Sequence, residues 1–139
     1  MTPLYPAQIE QDESGIFFVT FPDFEEAISE GETLEEALFN AQEVLTLTLE
    51  SRLEENIEIP MPMKATGVNI FHIAPEARVQ AALLIHQSRG KRSMADLARA
   101  LGTSWPAAKR LKNPRHSPTL KVLEKAATTL GKKLIISFE

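Results

Sequence analysis

A capping box, Thr33-Leu34-Glu35-Glu36, opens a long amphipathic helix. The Thr33 hydroxyl can accept the Glu36 N–H, and the Glu36 side chain can return to the Thr33 backbone. Behind it Leu34, Ala37, Leu38, Ala41, Leu45, Thr48, Leu49 and Leu53 recur at three- and four-residue steps. That spacing puts one apolar stripe on a helix near 34–55, with an acidic opposite face. A helix of this kind gains most of its stability from packing, so the stripe needs a surface to cover it. The preceding residues supply one. Leu4–Glu10 reads as a short strand, Asp12-Glu13-Ser14-Gly15 as a turn, and Ile16–Phe21 as a β-branched and aromatic strand. Pro22-Asp23-Phe24 breaks the run, and Ala27–Glu30 is a third short strand closed by Gly31. A small three-stranded antiparallel sheet with the helix laid across it is the simplest way to bury the stripe.

Beyond the helix the pattern changes. Ile59-Pro60-Met61-Pro62-Met63 cannot continue a helix, and with Lys64–Gly67 it reads as a linker. The predicted organisation is a first domain at 1–62, a linker at 63–69 and a second domain at 70–139. In the second domain 68–73 alternates like a strand. Helices follow near 76–88, 94–101, 105–112 and 119–130, punctuated by Gly90, Gly102 and Gly131. Residues 133–138 read as a closing strand, expected to pair with 68–73 or across a dimer, because an unpaired apolar strand invites aggregation.

The charge is divided along the same line. Residues 1–63 hold one cation, Arg52, and fifteen carboxylates, a net −14. Residues 64–139 hold fourteen cations and four carboxylates, a net +10. Such asymmetry points to a nucleic-acid-binding half and an acidic partner half; two solvated faces without partners are the plainer reading.

Met94–Leu111 carries the spacing of a helix-turn-helix. Ala98 is small where two helices cross, Gly102 permits the sharp turn, and Ala108 and Leu111 face the first helix. Leu97 and Leu101 fill the core beneath. Ser104, Trp105, Lys109 and Arg110 then point outward from a helix able to enter a major groove. Residues 93–130, including Pro118, Leu120–Ala127 and Leu130-Gly131, resemble a Cro/repressor-type helix-turn-helix. The resemblance implies base reading by Ser104, Trp105, Lys109 and Arg110, with Thr103, Lys112 and Asn113 near phosphates. Trp105-Pro106 departs from the polar residues usual there and suits a thymine methyl or a sugar better than a hydrogen bond. One such helix covers few base pairs, so a homodimer or higher homo-oligomer on a palindromic operator is expected.

The first half carries a second resemblance. Tyr5-Pro6, Gly15–Asp23, Ala27–Thr33 with Glu35-Glu36-Ala37, and Ile59-Pro60-Met61-Pro62 are similar to the HicB antitoxin family. With the helix-turn-helix, the chain resembles HicB antitoxins whose second domain binds DNA. The implied fold is α+β: a truncated ribonuclease-H-like sheet packed by a long helix, then the Cro/repressor-like domain with flanking strands. The implied partner is HicA, a small basic toxin that cleaves RNA with a histidine. Acidic side chains can occupy a site built for phosphate and speed association. Asp12, Asp23, Glu25, Glu26 and Glu30, on the sheet and turns, are the expected toxin-binding residues.

Other chemistry finds little footing. A two-metal nuclease would draw on Glu10, Asp12, Asp23 and Glu26, but Asp12 sits in a turn and acids are crowded enough to meet by chance. No catalytic, cofactor or metal residue is therefore assigned, and no enzyme is expected. Cysteine is absent, His72, His86 and His116 show no metal spacing, and the glycines are isolated. No apolar run approaches a membrane span and no leader pattern opens the chain, so a cytoplasmic protein without membrane contact is expected. A helix-turn-helix regulator whose acidic domain binds a ligand or a protein other than a toxin is the alternative.

Overall fold

The computed structural model describes residues 3–139. Met1 and Thr2, which open the stretch read as lacking a leader, lie outside the described residues. The elements run β1 (Tyr5–Gln11), β2 (Phe17–Phe21), β3 (Phe24–Gly31), α1 (Leu34–Glu54), β4 (Ile70–Ile73), α2 (Ala77–Arg89), α3 (Met94–Leu101), α4 (Trp105–Lys112) and α5 (Leu120–Thr129). The architecture is mixed α+β, with one four-stranded antiparallel sheet in the order β3-β2-β1-β4. The chain forms two compact units, 1–80 and 81–139.

In the first unit β1 and β2 pair as the expected hairpin, with Ile9 opposite Val19 and Gln11 opposite Phe17. Strand β3 is longer than expected and begins at Phe24. Phe21 pairs with Phe24, but Thr20 pairs with Ile28, so the register shifts between Thr20 and Phe21. This irregularity lets Phe24 and Ala27 both point inward while Glu25 and Glu26 both stay exposed. Tyr5, Ala7, Ile9, Val19, Phe21, Phe24 and Ala27 meet Ala37, Ala41, Leu45, Leu49 and Leu53 of α1 in the core. Leu45 and Leu49 are fully buried, each contributing about 1.5–3 kcal/mol.

The stripe on α1 starts later than the sequence suggests: Leu34 is exposed and Leu38 half-buried, while Ala37 is fully covered. Gly31 explains the change. A Cβ there would lie 2.8 Å from Ala37 Cα and 2.9 Å from the Glu36 carbonyl carbon, and closer still to Ala37 N. The end of β3 and the first turn of α1 thus touch backbone to backbone. Helix α1 also buries a second row. Thr46 Oγ1 accepts the Glu76 N–H at 2.9 Å, and buried Glu50 pairs with Arg78 at 2.6 Å.

Strand β4 corrects the reading of 68–73. It does not pair with 133–138 and does not belong beside the later helices. It lies antiparallel to β1, with Tyr5 opposite Ile73 and Ala7 opposite Phe71, and Ile9 donates to Asn69 O at 2.9 Å. The hairpin covers only one edge of β1, and β4 satisfies the other. Segment 63–69 is therefore a connection within the first unit. Residues 133–138 are not a strand among the described residues.

In the second unit Ile85, Leu97, Leu101, Leu111, Ala126 and Leu130 form the core, with Met94 and Leu123 against it. Ser93, Ser104 and Thr119 cap α3, α4 and α5 by accepting the N–H of Asp96, Ala107 and Val122. At the end of α3, Gly102 takes the left-handed conformation at φ 65°, and α4 restarts within three residues. Ala98, Ala108 and Leu111 are buried, as the spacing predicts.

Candidate functional site

Each unit presents one candidate surface. On the first it is the outward side of the sheet. Alternation along β2 and β3 turns Phe18, Thr20, Ile28 and Glu30 away from the core. Glu10, Phe18 and Glu30 stand side by side across three strands, and Gln8, Thr20 and Ile28 form the next row. Phe18 is 44% and Ile28 63% exposed. Two large apolar side chains lying among carboxylates form a surface with the composition of a protein contact.

The five expected toxin-binding acids separate into two sets. Glu25 and Glu30 are exposed and project from β3. The other three have local work. Asp12 accepts the N–H groups of Ser14 and Ile16, both at 2.9 Å, and the Ser14 hydroxyl at 2.6 Å. The Ser14 hydroxyl, with the backbone donors, holds the Asp12 carboxyl below the usual range. Asp23 accepts the Met63 N–H at 3.1 and 3.2 Å and so ties down the segment after α1. Glu26 is gripped by Arg52 through two parallel bonds of 2.7 and 2.8 Å, which hold its carboxyl below the usual range.

Arg52 joins several parts. It also donates to Glu58 O at 2.9 Å, and its guanidinium lies 5.0 Å from the Phe24 ring centre. Tyr5 completes this corner by donating to Pro60 O at 2.9 Å. Burial, reinforced by Asp23, pushes its hydroxyl up to about 12. Glu10, Asp12, Asp23 and Glu26, the candidates for metals, are thus distributed among a strand, a turn, a backbone tie and an ion pair. Among the described residues no group of three His, Cys, Asp or Glu side chains is placed to hold a metal.

The second surface is the exposed side of α4. Thr103, Ser104, Trp105, Lys109, Arg110 and Asn113 are exposed, and Lys112 is half-buried. Pro106 sits in the first turn, where its missing N–H costs nothing. Trp105 is 49% exposed, and Lys109 Nζ lies 4.9 Å from its ring centre. Lys109 is therefore engaged with the indole, and about half of Trp105 stays open to water. Ser104 serves as cap, and Asn113 Oδ1 accepts the Arg115 N–H at 2.9 Å, which shapes the exit from the helix. Burial, with Arg89 and Lys112 nearby, holds the His86 imidazole below its usual pKa. No helix among the described residues is long and apolar enough to cross a membrane.

Sequence reasoning missed Phe18 and Ile28 as surface residues. Phe17-Phe18 held a clue, since adjacent aromatics in a strand point to opposite faces. It also missed Glu50–Arg78, which no local pattern marks.

A family model described as the HicB_like antitoxin of bacterial toxin-antitoxin system matches residues 4–73. That span includes β4. Antitoxin HicB 2 of Photorhabdus laumondii is 35% identical over 130 residues, covering 94% of this chain and 92% of that protein. Antitoxin HicB 1 of the same organism is 31% identical over 97% of this chain and 86% of its own length. Antitoxin HicB of Escherichia coli K12 is 29% identical over 94% of this chain and 95% of its own. Among solved structures, a chain of a toxin–antitoxin complex from Streptococcus pneumoniae aligns with a TM-score of 0.49 and 23% identity, covering 78% of this chain and 95% of that one. On the family match and these relatives, the chain belongs to the HicB-like antitoxins of bacterial toxin–antitoxin systems.

Proposed function

We propose that the first unit binds and blocks a small basic RNA-cleaving toxin of the HicA kind, and that the second binds operator DNA and represses the protein's own operon. The reading takes the protein as a homodimer or higher homo-oligomer with no catalytic activity of its own, acting in the cytoplasm. The observation that carries it is the match between charge and compact unit. Unit 1–80 holds three cations and sixteen carboxylates, and unit 81–139 holds twelve cations and three carboxylates.

On the acidic unit, Phe18 and Ile28 supply apolar contact, while Glu10, Glu25 and Glu30 steer a cationic partner. Asp12, Asp23 and Glu26 act there mainly by shaping the surface. On the basic unit, Ser104, Lys109 and Arg110 reach base edges, Trp105 packs against a methyl or sugar, and Thr103, Lys112 and Asn113 lie along the phosphates.

The test uses the full chain and the small basic protein encoded beside its gene. RNA cleavage by that protein should stop when the antitoxin is added. Phe18→Lys with Glu30→Lys should lose the inhibition while keeping operator binding in a gel shift. Arg110→Ala should do the reverse. Inhibition untouched by the double variant would remove the sheet face from the reading. Operator binding untouched by Arg110→Ala would remove α4.

A further inference from the structure

A cleft of about 220 Å³ lies between α4, α5 and the loop that joins them. Buried Leu111 and, from the end of α3, buried Leu101 form its floor. Ala107 of α4 and Val122 of α5 line its sides. Every ionisable side chain in the lining is basic: Arg110 from α4, His116 from the loop and Lys125 from α5. Helical spacing brings them there, since Arg110 follows Ala107 by three residues and Lys125 follows Val122 by three. Among the described residues no carboxylate lines the cleft. Nor do these three side chains have an ion pair or hydrogen bond among the described residues. Elsewhere in the unit a cation can be answered, as Arg99 is by Asp96.

We propose that this cleft binds a small amphipathic anion, a single ring or short chain that carries a carboxylate. The apolar part lies on Leu101 and Leu111, and the carboxylate accepts from Arg110 and Lys125. The size sets the class. An apolar cavity of about 150 Å³ takes benzene, so 220 Å³ holds one ring with a charged group and little more. Inorganic phosphate would meet the cations and leave the floor bare. A neutral ring would cover the floor and leave the cations unanswered. An anion seated there engages Arg110, so it and a duplex on α4 would exclude each other. That competition rests on the reading of Arg110 as a base reader; the ligand site itself does not.

The test titrates the full chain with benzoate and follows methyl and amide resonances by NMR. Benzamide keeps the ring without the charge, acetate keeps the charge without the ring, and inorganic phosphate stands for a nucleic-acid backbone. Benzoate should bind with a Kd of about 1 mM and show ring-to-methyl Overhauser contacts at Leu101, Leu111 and Val122. A charged hydrogen bond is worth roughly tenfold, so benzamide should bind about tenfold more weakly than benzoate. Acetate, which leaves the floor bare, should be weaker still. Lys125 is exposed and has no part in base reading, so Lys125→Gln should weaken benzoate about tenfold and leave benzamide and operator binding unchanged. Ala107→Leu should fill the cleft and remove both ligands. Absence of saturable binding, contacts outside the cleft, or benzoate no tighter than benzamide or phosphate would each overturn the site. Full benzoate affinity in Lys125→Gln would overturn it too.

Competition is read separately by gel shift, in about 10 mM benzoate against acetate at equal ionic strength. Operator affinity should fall about tenfold in benzoate. Cleft contacts with unchanged operator binding overturn the competition and leave the site standing. Failure to bind operator without benzoate overturns the DNA reading and leaves the ligand site intact.

Discussion

Replacing Gly31 with alanine adds one methyl group at the place where β3 meets α1. The new Cβ would stand 2.8 Å from Ala37 Cα and 2.9 Å from the Glu36 carbonyl carbon. Ordinary contact begins near 3.4 Å, so clearing Ala37 Cα alone takes about 0.6 Å, and the nearer Ala37 N requires the strand end and the helix start to part further still. Neither obstacle is a side chain that can rotate away. Moving them carries Ala37, and behind it Ala41, out of the core that covers the sheet. Overpacking of this kind costs ~1–3 kcal/mol, and rigid backbone on both sides puts Gly31→Ala near the top of that range. For a unit of this size ~3 kcal/mol corresponds to a fall in melting temperature of roughly 12–24 °C. Gly102→Ala is the matched control. It meets nothing within 4 Å and pays only for its φ of 65°, about 1 kcal/mol. Urea titration with amide exchange read by mass spectrometry follows peptides of β2 and α1 separately from those of α3. Gly31→Ala should release the first group at much lower urea and leave the second unchanged. A cost for Gly31→Ala no greater than for Gly102→Ala would refute close approach as the reason for glycine at 31.

Arg78→Ala leaves Glu50 without its 2.6 Å partner in a covered position and should destabilise the first unit by about 2–3 kcal/mol, read as a shift in urea midpoint. The double change of Arg78→Ala with Glu50→Leu should recover part of that loss. Arg52 lowers the pKa of Glu26 in the folded protein, so the pair stabilises above the ordinary carboxylate range. That contribution disappears as pH falls through the lowered value, and Glu26→Gln should flatten this part of the acid-unfolding curve. Arg110→Ala should cost ~1–3 kcal/mol on operator DNA and less on random duplex, whereas Lys112→Ala should weaken both alike and reduce the salt slope by about one. Equal losses for Arg110→Ala on both duplexes, in a fluorescence titration, would end its role as a base reader.

The helices of the second unit were legible almost residue by residue. Ser93, Gly102 and Ser104 are local signals, and a helix is specified by its neighbours along the chain. The exposure of Lys109 and Arg110 followed from the same period. The sheet was harder. Its hairpin announces itself through Asp12–Gly15, but alternation at 70–73 does not say which strand it joins. Its partner β1 lies more than sixty residues earlier, and only the tertiary structure names it. The acids show the same limit. The turn duty of Asp12 is local. Glu26 meets an arginine 26 positions away and Asp23 an amide 40 positions away, and no window of sequence connects them. The register shift in β3 likewise depends on what Phe24 packs against, Tyr5, whose ring centre is 4.9 Å away.

The chain contains a single tyrosine and a single tryptophan, and they fall in different compact units. Tyr5 is sealed in the core beneath the sheet, while Trp105 stands half in water at the start of α4 beneath a lysine. The protein is therefore optically labelled at both ends of its proposed work. Excited alone, the indole registers events on α4, including arrival of a duplex that would displace Lys109 or dry the ring. The phenol registers the integrity of the acidic unit. A binding partner can be assigned to one unit or the other from the unmodified protein by which colour of emission it changes.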